Sequence, residues 1–239
     1  MTRHYTARAA VRAECDGAGR TRLTTVRSDG PYALRAAPEA VYLVGAAAGA
    51  LGGDELCLDL DVSHGATLTV RSVASALLLP GEGESQAWVK ARVASGAHLD
   101  FALEPAVATA GCRHHAIADL ALEGDATLRW REELVLGRHG ETAGPCTSRI
   151  DVTLDGVPLL RHELPLPDPA FYTSSAVLGD ARCTGDVLLV GPDLARDAYA
   201  ADGLAVMPLA GPGVLVTALA PDSAILRQRL VQGEKHARG

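Results

Sequence analysis

Gly49-Ala50-Leu51-Gly52-Gly53-Asp54-Glu55-Leu56, followed by Leu58, Leu60 and Val62 at alternate positions, is the stretch on which the fold turns. Glycine reaches backbone angles that a β-carbon forbids, and its missing side chain lets a second backbone come close. Apolar residues at every second position mark a strand with one buried face. A tight corner at Gly49, Gly52 and Gly53 therefore feeds a half-buried strand and sets an acidic pair, Asp54 and Glu55, at the joint.

Moving outward, the same unit returns. Leu58 to Val70 reads strand, small turn, strand, and so do Val89 to Phe101 and Ile117 to Trp130. The turn alanines Ala66, Ala97 and Ala126 lie 31 and 29 residues apart. A strand–turn–strand unit at such a period suits stacked layers, each covering the apolar face of the next. It suits a sandwich of ordinary antiparallel hairpins equally, and periodicity alone does not separate the two. Either way the class is all-β.

Helix signals are few and sit toward the C-terminal third. Pro192 to Ala201 is expected to form a short helix, with Pro192 in the first turn and Gly203 as its stop. Asp222 to Gln232 carries a stronger signal: Asp222 as N-cap, an apolar stripe of Ile225, Leu226, Leu230 and Val231, and Gly233 as terminator. Leu164 to Pro169 holds three prolines and reads as a stiff extended connector, neither helix nor central strand. Thr173 to Asp180 after it is open to helix or loop. The chain, 1–239, is read as a single domain.

Composition narrows the function. Of the 239 residues 48% are hydrophobic, which is ample for a core, but only 4% are aromatic, so Leu, Val and Ala must build it. A net charge of −7 without a basic run argues against nucleic acid as a partner. The longest apolar stretch, Leu204 to Ala220, is interrupted by Pro208, Gly211, Pro212 and Gly213, so no membrane span is expected. The opening, Met1 to Cys15, lacks the apolar segment of a signal peptide, and the five cysteines form no C-x-x-C pair. Both suit a cytoplasmic chain.

Catalytic motifs are missing from the sequence. There is no phosphate-binding Gly-x-x-x-x-Gly-Lys-Ser/Thr, no Gly-x-Ser-x-Gly and no His-Glu-x-x-His. His114 and His115, with Cys112 and Asp119 nearby, come nearest to a metal cluster. Adjacent residues of a strand point to opposite faces, so they are expected to be ordinary polar residues near a turn. His98 and Asp100 share a face and are expected to meet solvent. Asp54-Glu55, Glu132-Glu133 and Arg161-His162-Glu163 read first as solvated strand ends, although carboxylate and imidazole also serve as transient ligands for divalent transition metals.

Taken together, several segments resemble the UreD (UreH) family of urease accessory proteins over most of the chain. Val41-Tyr42-Leu43-Val44 leading into Gly49–Leu56 is similar to that family's aliphatic strand and Gly-Gly-x-x-Gly-Gly-Asp hallmark, with Ala50 in place of its second glycine. Gly19 to Leu23, Gly30-Pro31-Tyr32, Gly65-Ala66, Gly96 to Phe101, Glu132 to Arg138 with Gly140-Glu141, and Asp155 to Leu160 follow in the family's order. At His162, beside Glu163, the family tends to carry glutamate.

The resemblance implies a β-helix-like body of stacked strand layers with about two short helices, and no enzymatic activity. It implies a scaffold in urease maturation that bridges apo-urease to a UreF-type partner and a nickel-carrying UreG-type GTPase. Ni²⁺ would pass through an internal tunnel, with no tightly bound cofactor. By matching position, Asp54, Ser75, Glu132 and His162 would line or gate that route, Asp54 being the candidate metal contact. The competing reading from the residues alone is a β-solenoid hydrolase or lyase acting on a polysaccharide. It is motivated by the repeat and the carboxylate pairs, and weakened by the scarcity of aromatic platforms.

Overall fold

The computed structural model describes residues 4–46 and 49–239; Met1 to Arg3 of the polar opening and Ala47-Ala48 before the glycine corner lie outside the described residues. The chain opens with two antiparallel pairs, β1 (Thr6–Cys15) with β2 (Thr21–Arg27) and β3 (Tyr32–Ala36) with β4 (Val41–Gly45). Successive coils follow. The first is β5 (Ala50–Leu51), β6 (Glu55–Val62), β7 (Thr67–Ser72) and β8 (Ala76–Leu79). Next come β9 (Ser85–Val93), β10 (His98–Ala102) and β11 (Ala106–Ala108), then β12 (His114–Leu122) and β13 (Thr127–Leu136). A hairpin, β14 (Cys146–Leu154) and β15 (Val157–Leu166), leads to the short helix α1 (Pro169–Tyr172). The remainder is β16 (Cys183–Val190), β17 (Tyr199–Ala201), β18 (Leu204–Pro208), β19 (Gly213–Ala220) and the helix α2 (Ser223–Arg238).

Stacked layers, rather than a hairpin sandwich, are what form. β6, β9, β12 and β14 pair in parallel within a sheet ordered β15-β14-β12-β9-β6-β1-β2. β4, β7, β10 and β13 pair in parallel in the facing sheet, which β16, β19, β18 and β17 extend antiparallel. The repeated alanines make the corner between them: the amides of Ala66, Ala97 and Ala126 each donate to the carbonyl three residues back, at 3.0 Å. A corner too small for a larger buried side chain, repeated at one height, keeps the coils in register. Along β6, Leu56, Leu58, Leu60 and Val62 are buried as the alternation requires. Leu58, Leu60 and Val62 share one core with Leu68, Val70, Phe101 and Trp130 of the facing sheet, whereas Leu56 belongs to a second cluster with Ala50 and Leu78.

The glycine corner is a contact as well as a turn. Gly49 has φ +57°, and a β-carbon there would collide with the Leu77 carbonyl oxygen of the adjoining β8 segment. At Gly52 it would come within 2.7 Å of the Gly81 amide.

The C-terminal elements hold two corrections. Pro192–Ala201 is not helical: Asp193 sits at φ +58°, outside the helical region, and the strap is pinned when Ala195 N–H donates to the Ala237 carbonyl at the end of α2. α2 does begin at Asp222, whose carboxylate accepts from Ile225 N–H at 2.8 Å, but it runs through Gly233 to Arg238. Gly233 is no terminator. It lets the helix lie directly on Val216 and Leu204, where a β-carbon would clash. The proline segment is only in part the extended connector expected: Leu164 to Leu166 pair as the end of the edge strand β15, which tolerates Pro165, and Pro169 is the first residue of α1 under the Asp168 cap, where a missing N–H costs nothing.

Candidate functional site

Between the two sheets the packing changes within a few residues. In register across four strands, Leu58, Val89, Ala118 and Ile150 fill one inward row, and Leu60, Ala91, Leu120 and Val152 the next. The row on the other side is Leu56, Ala87, Ala116 and Ser148. Three small side chains in line leave the space opposite them unfilled. The result is a cavity of about 470 Å³ walled by Ala87, Ala116 and Ser148 on one side and Phe101, Glu132, Thr184 and Asp186 on the other.

Glu132 is the anionic centre of that wall. β13 turns Trp130 and Glu132 to the same face, so the Trp130 indole N–H donates to Glu132 Oε1 at 2.9 Å while the Ser148 hydroxyl donates to Oε2 at 2.8 Å. Burial pushes its carboxyl above the usual carboxylate range, against the pull of these two donors. Its direct neighbour across the β13–β16 pair is Asp186. Asp186 Oδ2 lies 3.4 Å from His162 Nε2, which reaches across from the edge strand β15. That contact with Asp186, reinforced by the charge of Glu132, raises the His162 pKa above its ordinary value. Asp186 Oδ1 is buried and has no hydrogen-bond partner among the described residues.

Ser75 lies where the wall is broken. Pairing of β10 with β13 stops at Ala102 and resumes at Ala106, and β7–β8 pairs with β10–β11 up to Arg71 and again from Ala76. Ser75 and Glu104 fall in the gap. They line both the inner cavity and an open groove between this bend and α2. The structure thus brings Glu132 and His162 together around Asp186, with Ser75 at an opening of the same cavity.

Asp54 is placed elsewhere. It is 1% exposed, not a solvated strand end, and its carboxylate accepts from Tyr5 N–H at 2.8 Å and Leu51 N–H at 2.9 Å. Both oxygens are occupied in tying the glycine corner to the start of the chain. Among the described residues Asp54 does not line the cavity, although Gly49, Ala50 and Leu56 around it do.

Other polar positions are also less exposed than expected. His114 is buried, with Nδ1 2.8 Å from the Ser85 hydroxyl, and burial holds its pKa down at about 4. His115 points to the opposite face, 3.1 Å from Glu84. His98 and Asp100 do share a face, but α2 crosses it: Arg129 bridges Asp100 at 3.1 Å and Glu234 of α2 at 2.7 Å. Glu132 and Glu133 point to opposite sides of the sheet and are both shielded, so they offer no exposed acidic pair to a sugar chain. Among the described residues no three His, Cys, Asp or Glu side chains converge as a metal-binding set.

Asp186 and Ser148 are absent from the sequence-based candidates. A signal for Asp186 was present: it is the sole charged residue in Cys183–Val190, a strand buried at every position. Ser148 carried none, because its role depends on which strand lies opposite.

Comparison with known proteins matches this architecture to a family. The family model for the UreD urease accessory protein matches residues 5–239. The chain is 42% identical to the urease accessory protein UreD of Frankia casuarinae over 280 residues, spanning 95% of this chain and 88% of that one. It is 39% identical to UreD of Streptomyces coelicolor, with 95% and 94% covered, and 38% identical to UreD of Streptomyces avermitilis, with 94% of each covered. A hollow β-solenoid-like body with this glycine corner, matched along almost its whole length, belongs to the UreD family of urease accessory proteins and takes an accessory part in urease maturation.

Proposed function

We propose that this chain is a non-catalytic scaffold that bridges apo-urease to a UreF/UreG-type complex, and that the cavity between its sheets is a passage for Ni²⁺ toward the urease active site. The observation that carries the reading is Glu132 and Asp186 on the wall of a cavity that also reaches Ser75 at a break in the sheet, with His162 held against Asp186 from the edge strand. Carboxylate and imidazole are acceptable to nickel, and a wall of separated ligands favours release over retention. Ni²⁺ is therefore cargo, and no tightly bound cofactor is required. GTP would belong to the partner. Asp54 contributes by holding the corner that carries Ala50 and Leu56 into the wall. Five unpaired cysteines suit a reducing, cytoplasmic setting. Among the described residues no helix is long and apolar enough to cross a membrane.

The test is activation of apo-urease by the assembled complex containing Glu132→Gln. Glutamine keeps an acceptor for Trp130 and a partner for Ser148, so the complex should assemble while the nickel content of urease falls sharply. Full metallation by that variant would end the passage reading.

A further inference from the structure

The break in the wall at Ser75 and Glu104 is crossed by an ion pair. Arg227, on the first half of α2, lies across it, 3.2 Å from Glu104 and 2.9 Å from Glu133. Glu133 is fully shielded, and Arg131 Nε approaches the same oxygen, Oε1, at 3.0 Å. Gly185 makes the room: a β-carbon there would press on Leu230 of α2 and on Glu133. The network is incomplete: among the described residues Glu133 Oε2 is buried without a hydrogen-bond partner, and Arg131 Nε, although 3.0 Å from Glu133 Oε1, is not aligned for a hydrogen bond. Buried polar groups left unsatisfied are costly, so this arrangement gives up hydrogen bonds that a rearranged one could recover.

We propose that Arg227 is the gate of the inner cavity. Its guanidinium, held by Glu104 outside and Glu133 inside, closes the opening by bulk and repels cations by charge. A cation using this mouth passes only when Arg227 is drawn away from Glu104. The role in delivery rests on the passage reading above, but the gate itself is tested without nickel.

Cys146 reports on it, because this buried thiol lines the cavity. Methylmercury is added to the isolated full chain and the modified cysteines are followed by peptide mass mapping, in the native protein, Arg227→Met and Glu104→Gln. Glu104 is partly exposed, so Glu104→Gln frees the outer hold on Arg227 without stripping the buried Glu133 of its countercharge. Mercuration of Cys146 should quicken on the order of tenfold in both variants, as for a site released from local closure. Cys183, packed in the cluster beneath α2, should keep its native rate. An unchanged Cys146 rate in Glu104→Gln, or a parallel rise at Cys183 showing that the helix has come away, would overturn the gate. If Glu132→Gln left urease fully metallated while Cys146 still responded, the passage would fall and the gate would stand.

Discussion

At the corner end of the coils, Leu60, Leu120 and Val152 meet the stacked rings of Phe101 and Trp130, whose centroids are 4.0 Å apart. Two rungs away on the same strands, Ala87, Ala116 and Ser148 face Glu132 and Asp186 across open space. The backbone ladder is the same in both places. Hydrogen bonding between coils holds the wall whether or not side chains fill the interior, so inward volume is free to vary from row to row. Trp130 and Glu132, two residues apart, mark the boundary.

That contrast can be broken most directly in the packed half. Leu120→Ala removes a fully buried side chain and should cost about 2–5 kcal/mol in urea unfolding; a loss under about 1 kcal/mol would mean the two halves are not differently packed. Asp54→Ala should come next, at about 2–3 kcal/mol, because two backbone donors lose a charged acceptor. This reverses what a solvated strand end would give, and a neutral result would return Asp54 to that description.

A matched pair sharpens the comparison. Ala118→Leu, inside the packed row, should destabilise by about 1–3 kcal/mol through overpacking. Ala116→Leu, on the same strand and face but lining the cavity, should cost less than about 1 kcal/mol and should obstruct nickel delivery. Equal costs would deny the cavity.

The hollow half should also titrate. Burial raises the Glu132 pKa, so the folded protein holds that proton longer than the unfolded chain does. The associated stability is present below the ordinary glutamate pKa of about 4.3 and is lost as pH rises through the raised value. Urea midpoints of native protein and Glu132→Gln, compared from acid to neutral pH, should shift in favour of the variant as pH increases. His162 works over a higher window: its raised pKa gives stability that is full below about 6.5 and lost above it. The smallest effect belongs to the exposed outer face. Arg161→Ala, which loses an ion pair to Asp151, should change stability by less than about 1 kcal/mol.

Much of the layered body was legible in advance, because it is written in short-range patterns. Alternation set the buried face of β6, the turn alanines marked the corners, and Asp222 capped its helix. Where local signals misled, a distant contact had taken over. Gly233 looked like a stop until Val216 and Leu204 were found against it, and His98–Asp100 looked exposed until α2 was seen to cross them. Of the candidate site, Glu132, His162 and Ser75 were named, but not Asp186 between two of them, nor Arg227 at the mouth. Glu132 and Asp186 are 54 positions apart and meet only through the β13–β16 register.

Period, alternation and glycine spacing were enough for the all-β class and the family resemblance, since each depends on neighbours along the chain, whereas the choice of coil over sandwich needed the parallel pairings between distant strands. The cavity, its shared carboxylates and the guanidinium across its mouth came from how coils stack. Whether three small residues on three strands line up, and what then stands opposite them, depends on register between distant segments, which no local pattern encodes.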